Sequence, residues 1–202
     1  MEALRAKKAA RTRSSILDAA LTLFEKSGYT STSVEEIARA AEISLPTLFR
    51  YFPSKADLVF ADDEASLLRW EAAFDACDPD LPLSAVLRAA SGAVIAGTDL
   101  RLAGLRARLL QEDPELEQRA LWGDARALDR ATLRIASRCG WDPAQDLRPA
   151  LVARATLGAM RAAQGLVRAG SPTPFLALVD QAFLELGRIG ELLETRGIRG
   201  AG

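Results

Sequence analysis

SVEEIARAAEISLPTLFRYFPSK, residues Ser33–Lys55, holds two short helical patterns separated by a tight break. The first opens with a capping box, in which Ser33 and Glu36 each satisfy a backbone N–H left free at a helix start. Val34, Ile37, Ala38 and Ala41 supply its apolar face, and Glu42-Ile43 forms a turn. Ser44 is placed to cap the second helix, and Pro46 is tolerated in a first turn that needs no N–H donor. Ile43 before the cap and Leu48 at the fourth helical position are placed as a hydrophobic staple. Leu48 and Phe52, four residues apart, share the face that packs inward. Pro53 ends the helix. Leu45, Pro46, Thr47, Arg50 and Tyr51 are left outward, with Phe49 at the boundary.

Helix, tight turn and helix make a helix-turn-helix, whose second helix can lay its first residues in a DNA major groove. The Thr47 hydroxyl suits a phosphate or a base edge, Tyr51 suits a phosphate, and Arg50 suits either. Ser33 and Ser44 are caps first and phosphate contacts second. The same shape also serves as an ordinary three-helix packing unit. Charge bears on the choice: residues 1–55 carry nine Lys/Arg against six Asp/Glu, a net of +3, while the rest of the chain carries 17 against 21, a net of −4. The N-terminal quarter is therefore the part that attracts a polyanion. Within it, residues 1–13 read as a mobile basic arm that enters a minor groove, lies along phosphates or stays solvated. Lys55 falls in the first turn of the helix after Ser54, where a cation opposes the helix dipole and gains nothing locally. It reads as a phosphate clamp, with the anion docked at that helix start.

The remaining pattern is helical, without strand alternation. The expected fold is all-α with about nine helices in 202 residues, 49% of them apolar. Ile16, Ala20, Leu23 and Phe24 line the first helix, which stops at Ser27-Gly28. Later helices are expected over about 54–75, 82–97, 99–112, 114–138, 143–169 and 174–196, followed by a frayed RGIRGAG tail. Asp113-Pro114, Asp142-Pro143 and Thr173-Pro174 each pair a cap with a proline at the first helical position. A division follows into an arm and helix-turn-helix over 1–55 and a regulatory body over 56–202.

Composition removes several chemistries. There is no histidine, hence no His-based triad, His metal site or His acid–base group. No Gly-rich phosphate loop is present. Cys77 and Cys139 do not make a disulfide scaffold and fit a reducing compartment. No run approaches about 20 apolar residues, so no membrane partner is expected. Asp18 interrupts what would otherwise resemble a signal peptide. The reading is cytoplasmic, with no catalytic residue, metal or cofactor assigned. Two rivals to DNA binding stay open: a carboxylate-based small-molecule enzyme, marked by a buried acidic pair with raised pKa values, and a helical interaction module.

Residues 14–60 resemble the DNA-binding domain of the TetR family in the order and spacing of AALTLFEKSGY, TSTSVEEIARAAEIS and TLFRYFPSKADL. The FRYFPSK form is similar to actinobacterial members. The resemblance implies an all-α homodimer, usually a repressor released from double-stranded operator DNA by a small molecule. It implies that Thr32, Ser33, Thr47, Tyr51 and Lys55 touch phosphates, and that Leu45, Pro46, Thr47 and Arg50 lie nearest the bases. Two positions depart from the family pattern: Phe49 stands where Tyr is more usual, and Pro46 replaces a small residue.

In the body, Ala155, Gly158, Ala159, Ala162, Ala163 and Leu166 form a face of small residues on one helix. Phe175, Leu178, Val179, Ala182, Phe183 and Leu186 repeat the spacing on the last. Two such helices from each chain suit a four-helix dimer interface; burial within one chain is the alternative. Trp70, Phe74, Leu102, Leu105, Leu109, Trp122, Met160 and Gln164 lie on helices that, by the resemblance, surround a pocket for a largely apolar effector; large apolar side chains of this kind also serve as plain core. Arg101, Arg106 and Arg108 are candidates for an acidic group on that effector, or a solvated face.

Overall fold

The computed structural model describes residues 2–188, which form ten helices and no strand. They divide into two compact units, one built from the chain up to Glu64 with Thr98–Gly123, the other from Ala65–Gly97 with the chain from Asp124 onward. The chain passes between them within α5 (Asp63–Asp75), at Gly97-Thr98 and within α8 (Pro114–Cys139). This division does not follow the expected boundary after Lys55. The helix-turn-helix core is completed by residues some fifty or more positions later in the chain: Leu102, Leu105 and Leu109 of α7 (Leu100–Glu112) and Leu116 and Ala120 of α8.

In the first unit α1 spans Glu2–Ser27. The basic arm expected over 1–13 is therefore helical from Glu2 onward, because Ala, Leu, Arg and Lys are strong helix formers. Arg13 is drawn into the fold: its guanidinium lies 5.0 Å over the Phe52 ring and donates to the Ala61 carbonyl. Gly28, at φ 84°, ends the helix in the left-handed region that glycine adopts without strain. Helix α2 (Val34–Ala40) has its capping box, with Ser33 N–H donating to Glu36 Oε2 at 2.8 Å and Glu36 N–H to Ser33 Oγ at 3.2 Å.

Glu42 sits at φ 55°, the one described non-glycine residue at positive φ. Its N–H donates to the Arg39 carbonyl at 3.1 Å, and Ile43 N–H donates to Ala38 at 2.9 Å. This is a Schellman ending with glutamate in the usual glycine position, and it re-aims the chain into α3 (Leu45–Tyr51). Ser44 does not cap α3 through its side chain; its hydroxyl lies 2.9 Å from that of Thr47 instead. Leu48 and Phe52 are buried as expected.

The single helix expected over 54–75 is two, α4 (Lys55–Val59) and α5 (Asp63–Asp75). Ser54 and Asp57 form a capping box at the first, with Ser54 N–H donating to Asp57 Oδ2 at 2.8 Å. The break buries Phe60, frees the Ala61 carbonyl for Arg13, and puts Asp63 and Glu64 in a new first turn where the dipole favours acids. Helix α7 (Leu100–Glu112) is capped by Asp99, and α8 (Pro114–Cys139) begins at the expected Pro114.

The second unit packs Trp70 and Phe74 of α5 against Val86, Leu87 and Ala90 of α6 (Leu83–Ala96), Ile135 of α8 and Ala153 of α9. Helix α9 runs Arg148–Arg168 rather than from residue 143. Pro149 explains the late start: inside a longer helix it would remove a hydrogen bond and clash with the preceding turn. Asp142–Asp146 instead closes its own turn, with Asp146 N–H donating to the Asp142 carbonyl at 2.8 Å. Helix α10 spans Phe175–Gly187, and the expected stretch to 196 and the RGIRGAG tail lie outside the described residues.

The two expected interface faces are split by this packing. Ala163, Leu178 and Val179 form a cluster within the chain, with Met160, Phe175 and Phe183 against it, and Ala159 is also buried. Gly158, Ala162 and Leu166 are exposed, and Ala155, Ala182 and Leu186 half-buried. Among the described residues, no single helix is long and apolar enough to cross a membrane.

The Glu42 geometry yields a prediction. A non-glycine residue in the left-handed region costs about 1–2 kcal/mol, and glycine costs roughly 0.5–1 kcal/mol in chain entropy. Glu42→Gly is therefore expected to stabilise by about 0.5 kcal/mol, a rise in Tm of roughly 1–2 °C. A lower Tm in a thermal melt would mean that strain at this turn is not the deciding effect.

Candidate nucleic-acid interface

Helix α3 is seven residues long and buries one side. Ser44, Pro46, Phe49 and Arg50 are exposed, with Leu45, Thr47 and Tyr51 half-buried beside them. The Arg50 guanidinium lies 5.3 Å from the Tyr51 ring, so the cation sits on an aromatic shelf at the helix surface. At 40% exposure, Phe49 presents an apolar edge where it is free to meet a base or a sugar.

The residues around α3 are placed less uniformly. Thr32 is buried, and its hydroxyl donates to the Gly28 carbonyl at 2.8 Å. It closes the α1–α2 connection rather than facing outward, which corrects the phosphate role implied for it. Ser33 is half-buried and spent on its capping box. Lys55 departs furthest from expectation. Its ammonium donates to the Tyr29 carbonyl at 2.9 Å and the Thr32 carbonyl at 3.1 Å, and lies 4.3 Å over the Tyr29 ring. The dipole argument gave this cation no local reward, yet two carbonyls and a ring provide one. Two of its three N–H groups are thus committed.

Tyr29 is the residue that sequence reasoning passed over, because it lies one position beyond Gly28, where the helical period stops. Its ring packs on Phe24 with centroids 5.2 Å apart. Burial, with Asp113 and Glu115 adding to it, pushes its phenol up to about 12. It therefore stays neutral and presents an uncharged face to Lys55. Further ties hold the unit together. Arg101 forks onto Glu25, donating from Nε to Oε1 at 3.0 Å, and its Nη2 reaches Thr22 Oγ1 at 3.0 Å. Arg106 pairs with Asp63 and Arg119 with Asp57, both guanidinium groups lying over the Phe60 ring at 4.5 and 5.3 Å. Arg101 and Arg106, candidates for an effector's acidic group, are engaged by the chain's own carboxylates, while Arg108 is exposed.

The candidate pocket residues fall into separate cores. Leu102, Leu105 and Leu109 are buried in the helix-turn-helix unit, where Trp122 is 72% exposed. In the second unit Trp70 stacks on Phe74 with centroids 4.9 Å apart, Met160 packs on the α9–α10 cluster, and Gln164 is half-buried. The buried carboxylate Glu71 faces Arg130 and Arg134, at 2.7 and 3.1 Å from their Nε atoms. Hydrogen bonding from Arg130 holds it below the usual carboxylate range, the opposite of the raised acid that carboxylate catalysis would use.

Lys55 and Arg50 should therefore respond differently to substitution. Lys55→Met strands two carbonyls and is expected to cost about 1–2 kcal/mol, lowering Tm by roughly 2–8 °C. Arg50→Ala, on an exposed side chain, should leave Tm nearly unchanged and weaken duplex binding by about 1–3 kcal/mol. Thermal melts beside gel shifts check both. A Lys55→Met protein that melts like the wild type would show that its local contacts carry no stability.

Family comparison agrees with this geometry. Residues 16–61 match the model described as bacterial regulatory proteins of the tetR family, and residues 81–189 match that of the MftR C-terminal domain. The chain is 34% identical over 157 residues to the HTH-type transcriptional regulator TcmR of Streptomyces glaucescens, covering 74% of this chain and 70% of that one. It is 41% identical over 75 residues to the putative mycofactocin biosynthesis transcriptional regulator MftR of Mycobacterium tuberculosis, covering 37% of this chain and 38% of that one. A crystal structure of a putative TetR-family regulator from Mesorhizobium loti superposes with a TM-score of 0.60 at 19% identity, covering 91% and 97% of the two chains, a likeness of fold. With family models on both its N-terminal and C-terminal parts, the chain belongs to the TetR family and is a helix-turn-helix transcriptional regulator.

Proposed function

We propose that this regulator acts in the cytoplasm as a homodimeric repressor, released from double-stranded operator DNA by a largely apolar small molecule. One observation carries the dimer: a stripe on α9 that the chain's own packing leaves open. Leu151, Gly158, Ala162 and Leu166 are exposed with Ala155 half-buried between them, spaced 0, 4, 7, 11 and 15 along one helix face. A Cβ added at Gly158 or Gly165 would meet nothing within 4 Å, so small residues there answer no need of the single chain. Leu176 and Leu184 expose a second apolar edge on α10. A second copy laid along these helices buries both. Relative to the face read from sequence, Leu151, Leu176 and Leu184 join the interface, and Ala159, Ala163, Leu178 and Val179 act behind it as support.

Two-fold symmetry would present two copies of α3 to successive major-groove half-sites. Pro46, Thr47, Phe49 and Arg50 face the bases, and Ser44, Tyr51 and the free N–H of Lys55 face phosphates. Helices α5 and α8 each belong to both units. An effector bound among α5, α8 and α9 would shift them between two arrangements and change the half-site spacing.

Gly158→Leu with Ala162→Arg should keep wild-type helicity yet sediment as a monomer, with wild-type protein a dimer at the same micromolar concentration. A variant that remains dimeric would refute this interface. Duplexes selected from a random pool should contain two inverted half-sites. Placed before a reporter promoter, that motif should lower transcription when the protein is present; a rise would identify an activator.

A further inference from the structure

The first three turns of α1 are hard to explain from the protein alone. Arg5, Lys7, Lys8 and Arg11 are all exposed, and none forms an ion pair among the described residues. From residue 3 to residue 17 the sequence contains no acid at all. Lys7 and Arg11 stand four apart and Lys8 and Arg11 three apart, so like charges are neighbours on the helix surface. Arg5 also stands in the first turn of α1, where the helix dipole disfavours a cation. Folding therefore places four positive charges close together, with none of them paired to a carboxylate among the described residues.

Their position suggests the compensation. On a 100° per residue wheel the four cations fall within a sector of about 160°. Lys7, Lys8 and Arg11 line a surface groove together with Ala41 and Ile43. Those two residues flank the Glu42 turn that leads directly into Ser44–Thr47, the start of α3. The basic face thus adjoins the end of the recognition helix that approaches DNA. With Leu4 as its one large apolar residue, this segment offers little to a membrane interior.

We propose that the N-terminal turns of α1 form a phosphate rail, in which Arg5, Lys7, Lys8 and Arg11 bind the backbone of the same duplex that α3 reads. The proposal rests on the operator-binding role given above and adds a part of the site outside the helix-turn-helix. The helical form of this segment decides how it binds. A helix is about 10–12 Å across with its side chains, and the minor groove is about 6 Å wide. The segment cannot enter that groove as an intact helix, so it contacts phosphates and reads no bases. Arg5 to Arg11 spans about 9 Å of helix axis, the axial reach of two to three phosphates of one strand at about 3.4 Å each. The rail supplies affinity and salt sensitivity, and α3 supplies sequence preference.

The test compares wild type with Arg5→Ala/Lys7→Ala/Lys8→Ala/Arg11→Ala. Alanine is the strongest helix former, so the variant keeps α1; circular dichroism and sedimentation confirm this. The probes are the duplex recovered from the random pool and a scrambled duplex of equal length, titrated from 50 to 200 mM salt. Each lost phosphate contact lowers the slope of log affinity against log salt by about 0.9. Two to three phosphates met by one protomer's rail correspond to a slope change of about 1.8–2.7, so over this range wild-type affinity falls about 10- to 40-fold more than the variant's for each rail engaged. The ratio between the two duplexes should stay the same. An unchanged slope overturns the rail, and so does a changed ratio, which would mean that the segment reads bases. Wild-type protein with no salt-dependent duplex binding would instead defeat the operator-binding role itself.

Discussion

A seven-residue helix is not stable alone, because the cost of its first turn is spread over too few hydrogen bonds. Helix α3 is such a helix, and the helix-turn-helix unit can be understood as the means of holding it still. Leu48 is fully buried and Phe52 nearly so, and they enter a core made by Ile16, Ala20, Leu21 and Phe24 of α1 and Ile37 and Ala38 of α2. Pro53 forces Phe52 into an extended conformation, φ −137° and ψ 98°, which ends the helix as its second anchor is set. The outward residues are fixed by what the inward ones bury.

The same requirement explains the polar contacts around that core. Helix ends and turns leave backbone carbonyls open, and several around this core find a side-chain partner. Thr32 takes Gly28, Lys55 takes Tyr29 and Thr32, and Arg13 takes Ala61. Arg106 and Arg119 neutralise Asp63 and Asp57 over the Phe60 ring. Partly exposed pairs of this kind contribute little stability each. Their effect is geometric, since they tie α4 and the start of α5 to α7 and α8. Two residues that look free to grip DNA, Thr32 and Lys55, are thereby committed first to the protein. Arg50 and the basic turns of α1 remain open to an outside partner.

Elements with strong local signals were legible in the chain itself. The Ser33/Glu36 box, the inward pair Leu48 and Phe52, Asp99 at α7 and Pro114 at α8 stand where the pattern put them. Where the deciding partner lies far along the chain, the local pattern is silent. The break at Phe60–Asp62 depends on a distant arginine and a buried ring, neither of which leaves a local mark. Pro149 was a local mark, and its consequence for α9 follows from proline chemistry alone. The small-residue faces of α9 and α10 could be seen, but not which half of each was already buried.

The sequence by itself determined the helical class, the helix-turn-helix, its inward and outward faces and the family. These depend on periodicity, caps and turn chemistry within a few residues of one another. Tertiary structure alone decided that α7 and the start of α8 complete the DNA-binding core, that Lys55 is bound to Tyr29 and Thr32, and that one stripe of α9 stays open. Each of these depends on side chains more than a dozen residues apart meeting in space. The chain's local pattern cannot fix such meetings, because burial and hydrogen bonding are settled only when every competing partner is in place.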